Sequence, residues 1–272
     1  MTSHPAPPPA LVPKRDLLGV PFAITDYEQA MDVMDGMIER RERGYVCAAA
    51  VHVLMVAGHD PSTRAALLGA SLVVPDGRPL VWALNLLGES LTDRVYGPEL
   101  TVRYCSRAAA RGHRVWLYGG ATPAALEELE RALRARFPEI RIVGGLSPPH
   151  RPLTPPEERE LAGRIDADGP DIVWVGVGAP RQELWMARMR PLVEAPVMAG
   201  VGAAFDFIAG RRRQAPPWMQ RRGLEWLFRL SQDPRRLAPR YLRYNPAFVA
   251  AFARQYVRQR RGRGADDPVT GS

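Results

Sequence analysis

The stretch Arg114-Val115-Trp116-Leu117-Tyr118-Gly119-Gly120-Ala121-Thr122-Pro123 decides the fold class. A short apolar run, rich in β-branched and aromatic residues, ends on two glycines. Thr122 then offers an N-cap and Pro123 suits a first helical turn, so the stretch reads as strand, glycine turn, helix. The helix runs over Pro123–Phe137. The unit recurs along the chain. Strands are expected at Pro21–Ile24, Tyr45–Ala50, Leu72–Val74, Ile140–Val143, Asp171–Gly176 and Pro196–Gly200, and helices at Asp26–Glu42, Pro98–Arg111, Pro155–Asp168 and Arg181–Met189. Strands alternating with helices of this length imply an α/β, Rossmann-like, mainly parallel sheet flanked by helices. No internal repeat is visible.

The 272 residues suffice for one sizeable domain or two small ones, and 46% hydrophobic with 24% charged residues is ordinary globular usage. No run approaches the ~18 apolar residues of a membrane-spanning helix. Residues 1–15 read as a disordered Pro-rich leader without the apolar core of a signal peptide. Cys47 and Cys105 make neither a disulfide framework nor a zinc site, which points to a reducing cytoplasm.

The charge is uneven. Residues 211–263 carry fifteen arginines against Glu225 and Asp233 alone, while the preceding body is near neutral. Residues 16–210 therefore read as the α/β domain, 211–263 as an Arg-rich helical appendage and 264–272 as a disordered tail. The appendage reads as helices over Trp218–Leu230, Pro234–Leu242 and Pro246–Arg261. The last places Phe248, Phe252 and Tyr256 on one face. That stripe either packs on the core or meets a membrane. A polycation of this kind seeks phosphate, in nucleic acid, a lipid headgroup or a diphosphate substrate. No helix-turn-helix, zinc-finger or ribonucleoprotein motif supports nucleic acid.

Five motifs stand where a doubly wound sheet places ligands. Val74-Pro75-Asp76-Gly77 puts a carboxylate at a strand's end, where it either acts as a general base on a sugar hydroxyl or caps the next helix. Gly119 and Gly120 either receive a diphosphate on backbone N–H groups or form a plain turn. Gly178-Ala179-Pro180-Arg181-Gln182-Glu183 opens another helix, with Gln182 suited to a uracil or sugar hydroxyl and Glu183 to capping. Gly200–Phe207 includes Gly202, which allows close approach to the backbone. Arg94, in Arg94-Val95-Tyr96-Gly97-Pro98, either meets a phosphate or is a solvated loop residue. There is no G-x-G-x-x-G, no G-x-S-x-G and no Cys/His cluster with metal spacing, and His52, His59, His113 and His150 read as structural.

These strings, with Gly223-Leu224-Glu225-Trp226-Leu227-Phe228-Arg229-Leu230, Pro234-Arg235-Arg236-Leu237 and Arg240-Tyr241-Leu242, resemble the WecG/TagA/CpsF family, glycosyltransferase family 26, from Val20 to about Phe248. The resemblance implies an inverting, metal-independent transferase without a cofactor. It would move an N-acetylhexosamine-type sugar, N-acetylmannosamine or a relative, from a UDP-sugar to a polyprenyl-diphosphate-linked sugar in cell-surface polysaccharide or teichoic-acid-type biosynthesis. It implies a protein peripheral on the inner face of the cell membrane, able to form a homo-oligomer. It implies that Asp76 is the catalytic base. Gln182, Arg94, Gly77, Gly119, Gly120, Gly178 and Gly202 would bind substrate, and Arg229, Arg236 and Arg240 would close over the site and meet acceptor diphosphate and membrane. The chain departs from the family at two substrate positions, where Ala48 and Ala50 replace an expected Thr and Asn, and Gln214 replaces an expected Arg. The alternative is a non-catalytic homologue that binds a lipid-linked sugar or a partner enzyme.

Overall fold

The computed structural model describes residues 12–265. The rest of the expected leader, residues 1–11, and residues 266–272 of the expected tail lie outside them.

Six strands form one all-parallel sheet: β3 (Gly44–Ala49), β4 (Leu72–Pro75), β5 (Arg114–Gly119), β6 (Arg141–Leu146), β7 (Ile172–Gly176) and β8 (Val197–Gly200), in the order β4-β3-β8-β7-β5-β6. The central strands are buried on both faces. In β7, Val173 and Val175 face one core while Ile172 and Trp174 face the other; in β5, Trp116 and Tyr118 oppose Val115 and Leu117. This two-sided burial is why the strands read as continuous apolar runs rather than alternating ones.

The helices divide by the direction of their connection. α6 (Pro123–Arg136) carries the chain from β5 outward to β6, and packs Leu126, Leu129 and Leu133 on one face. α8 (Arg181–Met189) carries it from β7 the other way to β8, and packs Trp185, Met186 and Met189 on the opposite face. Right-handed crossovers in opposite directions place helices on opposite faces. The order therefore reverses between β5 and β7, which opens a crevice at their carboxyl ends. α1 (Tyr27–Glu39) and α5 (Gly97–Arg111) share the α6 face. α2 (Val51–Ala57), α3 (Pro61–Leu68), α4 (Arg78–Leu86) and α7 (Pro155–Asp168) share the α8 face. The short α9 (Ala204–Ile208) follows β8.

Several expectations need correction. The strand expected at Pro21–Ile24 is not part of the main sheet. As β2 (Val20–Ala23) it pairs antiparallel with β1 (Lys14–Leu17) across a turn in which Leu18 and Gly19 both have positive φ. Lys14 and Arg15, placed in the leader, are thus in a strand. Residues after Gly210 are helical, in α10 (Pro217–Arg221), α11 (Glu225–Gln232) and α12 (Pro234–Ala265), but the one helix expected over Trp218–Leu230 is broken into two near Gly223, whose φ is positive, and the two helices expected over 234–261 are one. Pro239 and Pro246 sit inside α12. Proline costs about 3 kcal/mol in a helix interior, and here packing along α2 and α11 opposes that cost. Helix also extends to Ala265, into the expected tail.

The aromatic stripe of α12 faces the core. Phe248 is buried among core residues and Phe252 and Tyr256 pack beside it. Gln255 donates from Nε2 to the Asp16 carbonyl at 3.1 Å and accepts at Oε1 from the Leu18 N–H at 2.8 Å, which fastens the last helix to the β1–β2 hairpin.

Candidate active site

The carboxyl ends of all six parallel strands surround one cavity of about 810 Å³. Ala48 and Ala50 come from the end of β3 and Asp76 from β4. Gly120 follows β5, Pro148–Leu153 follow β6, Gly176–Gly178 close β7, and Val201 and Gly202 follow β8. The far wall is the tail: Arg229 from α11, and Arg236 and Arg240 from α12.

Asp76 is held in place by backbone. Its N–H donates to the Ala49 carbonyl at 3.1 Å, and its Oδ1 accepts the Gly97 N–H at 2.7 Å. Burial raises its pKa to about 6, and Arg94, the Gly97 N–H and Arg229 hold it from rising further. A carboxyl in this range is ionised at neutral pH yet is a stronger base than an ordinary aspartate.

Gly119 and Gly120 both have positive φ. A Cβ on Gly119 would come within 2.8 Å of the Gly176 carbonyl and 2.7 Å of the Phe205 ring, so only glycine lets β5, β7 and α9 meet there. Beneath the crevice, Tyr118 and Trp185 stack with centroids 3.9 Å apart.

Gln182 is buried at the cavity wall. Its Oε1 accepts the Gly202 N–H at 2.9 Å and its Nε2 donates to Glu183 Oε1 at 2.9 Å. The amide thus shapes the β8 turn. Glu183 is fully buried, and burial pushes its carboxyl up to about 7. The reading of Glu183 as a simple helix cap gives way to this second contact.

The three arginines of the tail form a cationic wall. Burial and the neighbouring Arg236 and Arg229 lower the pKa of Arg240. Arg236 reaches Asp233 at 2.5 Å, and Arg229 lies 3.9 Å from Glu225. Cations massed against one another in a concave site favour a polyanion there.

Asp76, Gln182, Gly120, Gly178, Gly202, Ala48, Ala50, Arg229, Arg236 and Arg240 thus converge on one cavity. Gly77, Gly119 and Arg94 do not line it. Gly77 caps α4, and Gly119 packs under Phe205. Arg94 is not a solvated loop residue: it is buried and paired with Glu225. Sequence reading missed His52, which lines the cavity with Nε2 3.2 Å from the Ala179 carbonyl. Burial and Arg240 depress its pKa to about 4, so it is neutral. Its place directly after a strand end was the available signal. The loop bearing His150 and Arg151 was also missed, as were Arg188 and Arg212.

A family model described as "Glycosyl transferase WecG/TagA/CpsF family" matches residues 15–262. The chain belongs to the WecG/TagA/CpsF glycosyltransferase family. A relative in Bacillus spizizenii, named as an N-acetylglucosaminyldiphosphoundecaprenol N-acetyl-beta-D-mannosaminyltransferase, is 31% identical over 199 residues, 73% of this chain and 75% of the relative. Family membership makes this chain a glycosyltransferase by kind, and the cavity holds the motifs that carried the resemblance. Among the described residues no helix is long and apolar enough to cross a membrane.

Proposed function

We propose that this glycosyltransferase moves an N-acetylhexosamine-type sugar, N-acetylmannosamine or a close relative, from a UDP-sugar to a polyprenyl-diphosphate-linked sugar. It works without a metal, at the inner face of the cell membrane. One observation carries the reading: a carboxyl raised to about 6 lies on the same cavity as three arginines from the tail.

Asp76 takes the proton of the acceptor hydroxyl. The hydroxyl oxygen attacks the anomeric carbon as the bond to the UDP oxygen breaks, and the configuration inverts. The nucleotide occupies the crevice between β5 and β7, where Gly120 and Gly178 bring backbone close, and the α8 N-terminus lies beside its phosphates. Arg229, Arg236 and Arg240 stabilise charge on the leaving UDP and on the acceptor diphosphate. The lipid's diphosphate thereby enters from the tail side.

The test is UDP release with UDP-N-acetylmannosamine and a short-chain polyprenyl-diphosphate N-acetylglucosamine. Asp76→Asn should lower turnover by about 10²- to 10⁴-fold while UDP still binds by calorimetry. Asp76→Asn turnover within threefold of the wild type would remove Asp76 from its role. The methyl groups of Ala48 and Ala50 on the cavity favour one second reading, a homologue without turnover. Failure of the wild type to bind UDP or turn over any UDP-sugar would select it.

A further inference from the structure

Arg229 reaches the cavity only if α10 and α11 keep their seat, and these two helices have little apolar means of keeping it. α10 has no buried residue, and the one buried residue of α11 is the charged Glu225. Glu225 meets Arg94, on the loop between α4 and α5; the two side chains are only 10% and 9% exposed.

Arg94 uses both terminal nitrogens here. Nη2 donates to Glu225 Oε2 and to Gln220 Oε1 of α10 at 3.2 Å, and Nη1 lies 3.4 Å from the Asp76 carbonyl. The guanidinium carbon sits 4.0 Å from the Tyr96 ring centroid. Gln220 in turn donates to the Ala215 carbonyl at 2.8 Å. One turn along α11, Arg229 is 3.9 Å from the same Glu225. A continuous polar path therefore runs from the Asp76 backbone through Arg94 and Glu225 to a cavity arginine. The cation belongs to the body and the anion to the tail.

We propose that Arg94 and Glu225 form a latch that seats α10 and α11 on the α4–α5 loop, beside Asp76, and sets Arg229 on the cavity. Arg94 is then a positioning residue rather than a phosphate ligand. The proposal rests on the reading of this cavity as the transfer site. Removing one partner strands a buried charge, whereas replacing both by apolar residues relieves it. The pair should therefore show strong coupling in a double-mutant cycle.

The experiment compares Arg94→Met, Glu225→Leu and the double variant in the full-length protein. Two quantities are read: amide exchange of residues 217–232 against that of β7, and the kcat and donor KM of transfer. Each single variant should speed exchange over 217–232 by at least about 10²-fold, leave β7 unchanged, and lower kcat by about 10²-fold with donor KM within about threefold. The double variant should recover most of both losses. Additive losses, equal acceleration in β7, or unchanged exchange over 217–232 would each overturn the latch. Where the wild type shows no transfer at all, the exchange cycle still decides the latch, and that failure falls on the proposed reaction instead.

Discussion

Replacing Asp76 by Asn should make the protein more stable while it removes transfer. Asp76 has an ordinary value of 3.8 and a folded value of about 6. A carboxyl whose folded pKa exceeds its unfolded one binds its proton more tightly in the folded state. Its contribution to stability is therefore full below about pH 4 and is lost as pH rises through about 6. Two units at about 1.4 kcal/mol each give roughly 3 kcal/mol lost by pH 8. Asn keeps an oxygen for the Gly97 N–H but loses the charge attraction of Arg94 and Arg229, so a net gain of about 1–3 kcal/mol is expected at pH 8. For a domain of this size that is roughly 3–10 °C in Tm. At pH 5 about nine-tenths of Asp76 already carries its proton, and the two proteins should melt closer together. The assay is calorimetric melting of both at pH 5 and pH 8, beside turnover. An Asn variant that melts lower at pH 8, or a gap that is the same at both pH values, would refute the account of a carboxylate held at a cost for catalysis.

Other outcomes follow from the same geometry. Phe248→Ala should cost about 3–5 kcal/mol in urea unfolding, because Phe248 is a core residue; a cost under 1 kcal/mol would mean that α12 is a detachable appendage. Deleting residues from 212 onward should for the same reason cause aggregation, and a soluble truncated body with native melting would contradict this. Ala48→Thr with Ala50→Asn should tighten UDP-sugar binding by about tenfold or more by calorimetry, since each new polar group contributes about 1 kcal/mol; unchanged binding would place the sugar away from β3. Arg236→Ala should raise acceptor KM and leave UDP affinity intact, with an effect that shrinks at high salt because Arg236 is exposed.

Much of this was legible in the sequence, for physical reasons. Strands buried on both faces leave unbroken apolar runs, and glycine followed by Thr and Pro announces the turn into α6. The ligand edge follows from that alternation, which is how Asp76, Gln182 and Gly178 were found. The hairpin was not legible, because Lys14-Arg15-Asp16-Leu17 is polar and gains its pairing only from Val20–Ala23. The continuity of α12 was hidden by Pro239 and Pro246, whose local preference is overridden by packing on α2. Arg94 was misread because a buried cation is recognised only by its partner, and Glu225 stands 131 positions away. His52 carried one sign only, its place just beyond the end of β3.

The hydrogen bonds between Gln255 and the β1–β2 hairpin join residues more than 230 positions apart. They have a consequence for how the chain is made. The hairpin emerges from the ribosome before the parallel sheet does, but a two-stranded ribbon is at best marginal alone in water. It packs on β4, α3 and α4, and its last partner, Gln255, is made more than 230 residues later, in α12. The hairpin can settle on β4, α3 and α4 as they appear, whereas the turn at Asp16–Leu18 stays unfastened until α12 is made. Chains cut short before α12 should therefore leave their beginning as well as their end open to proteases.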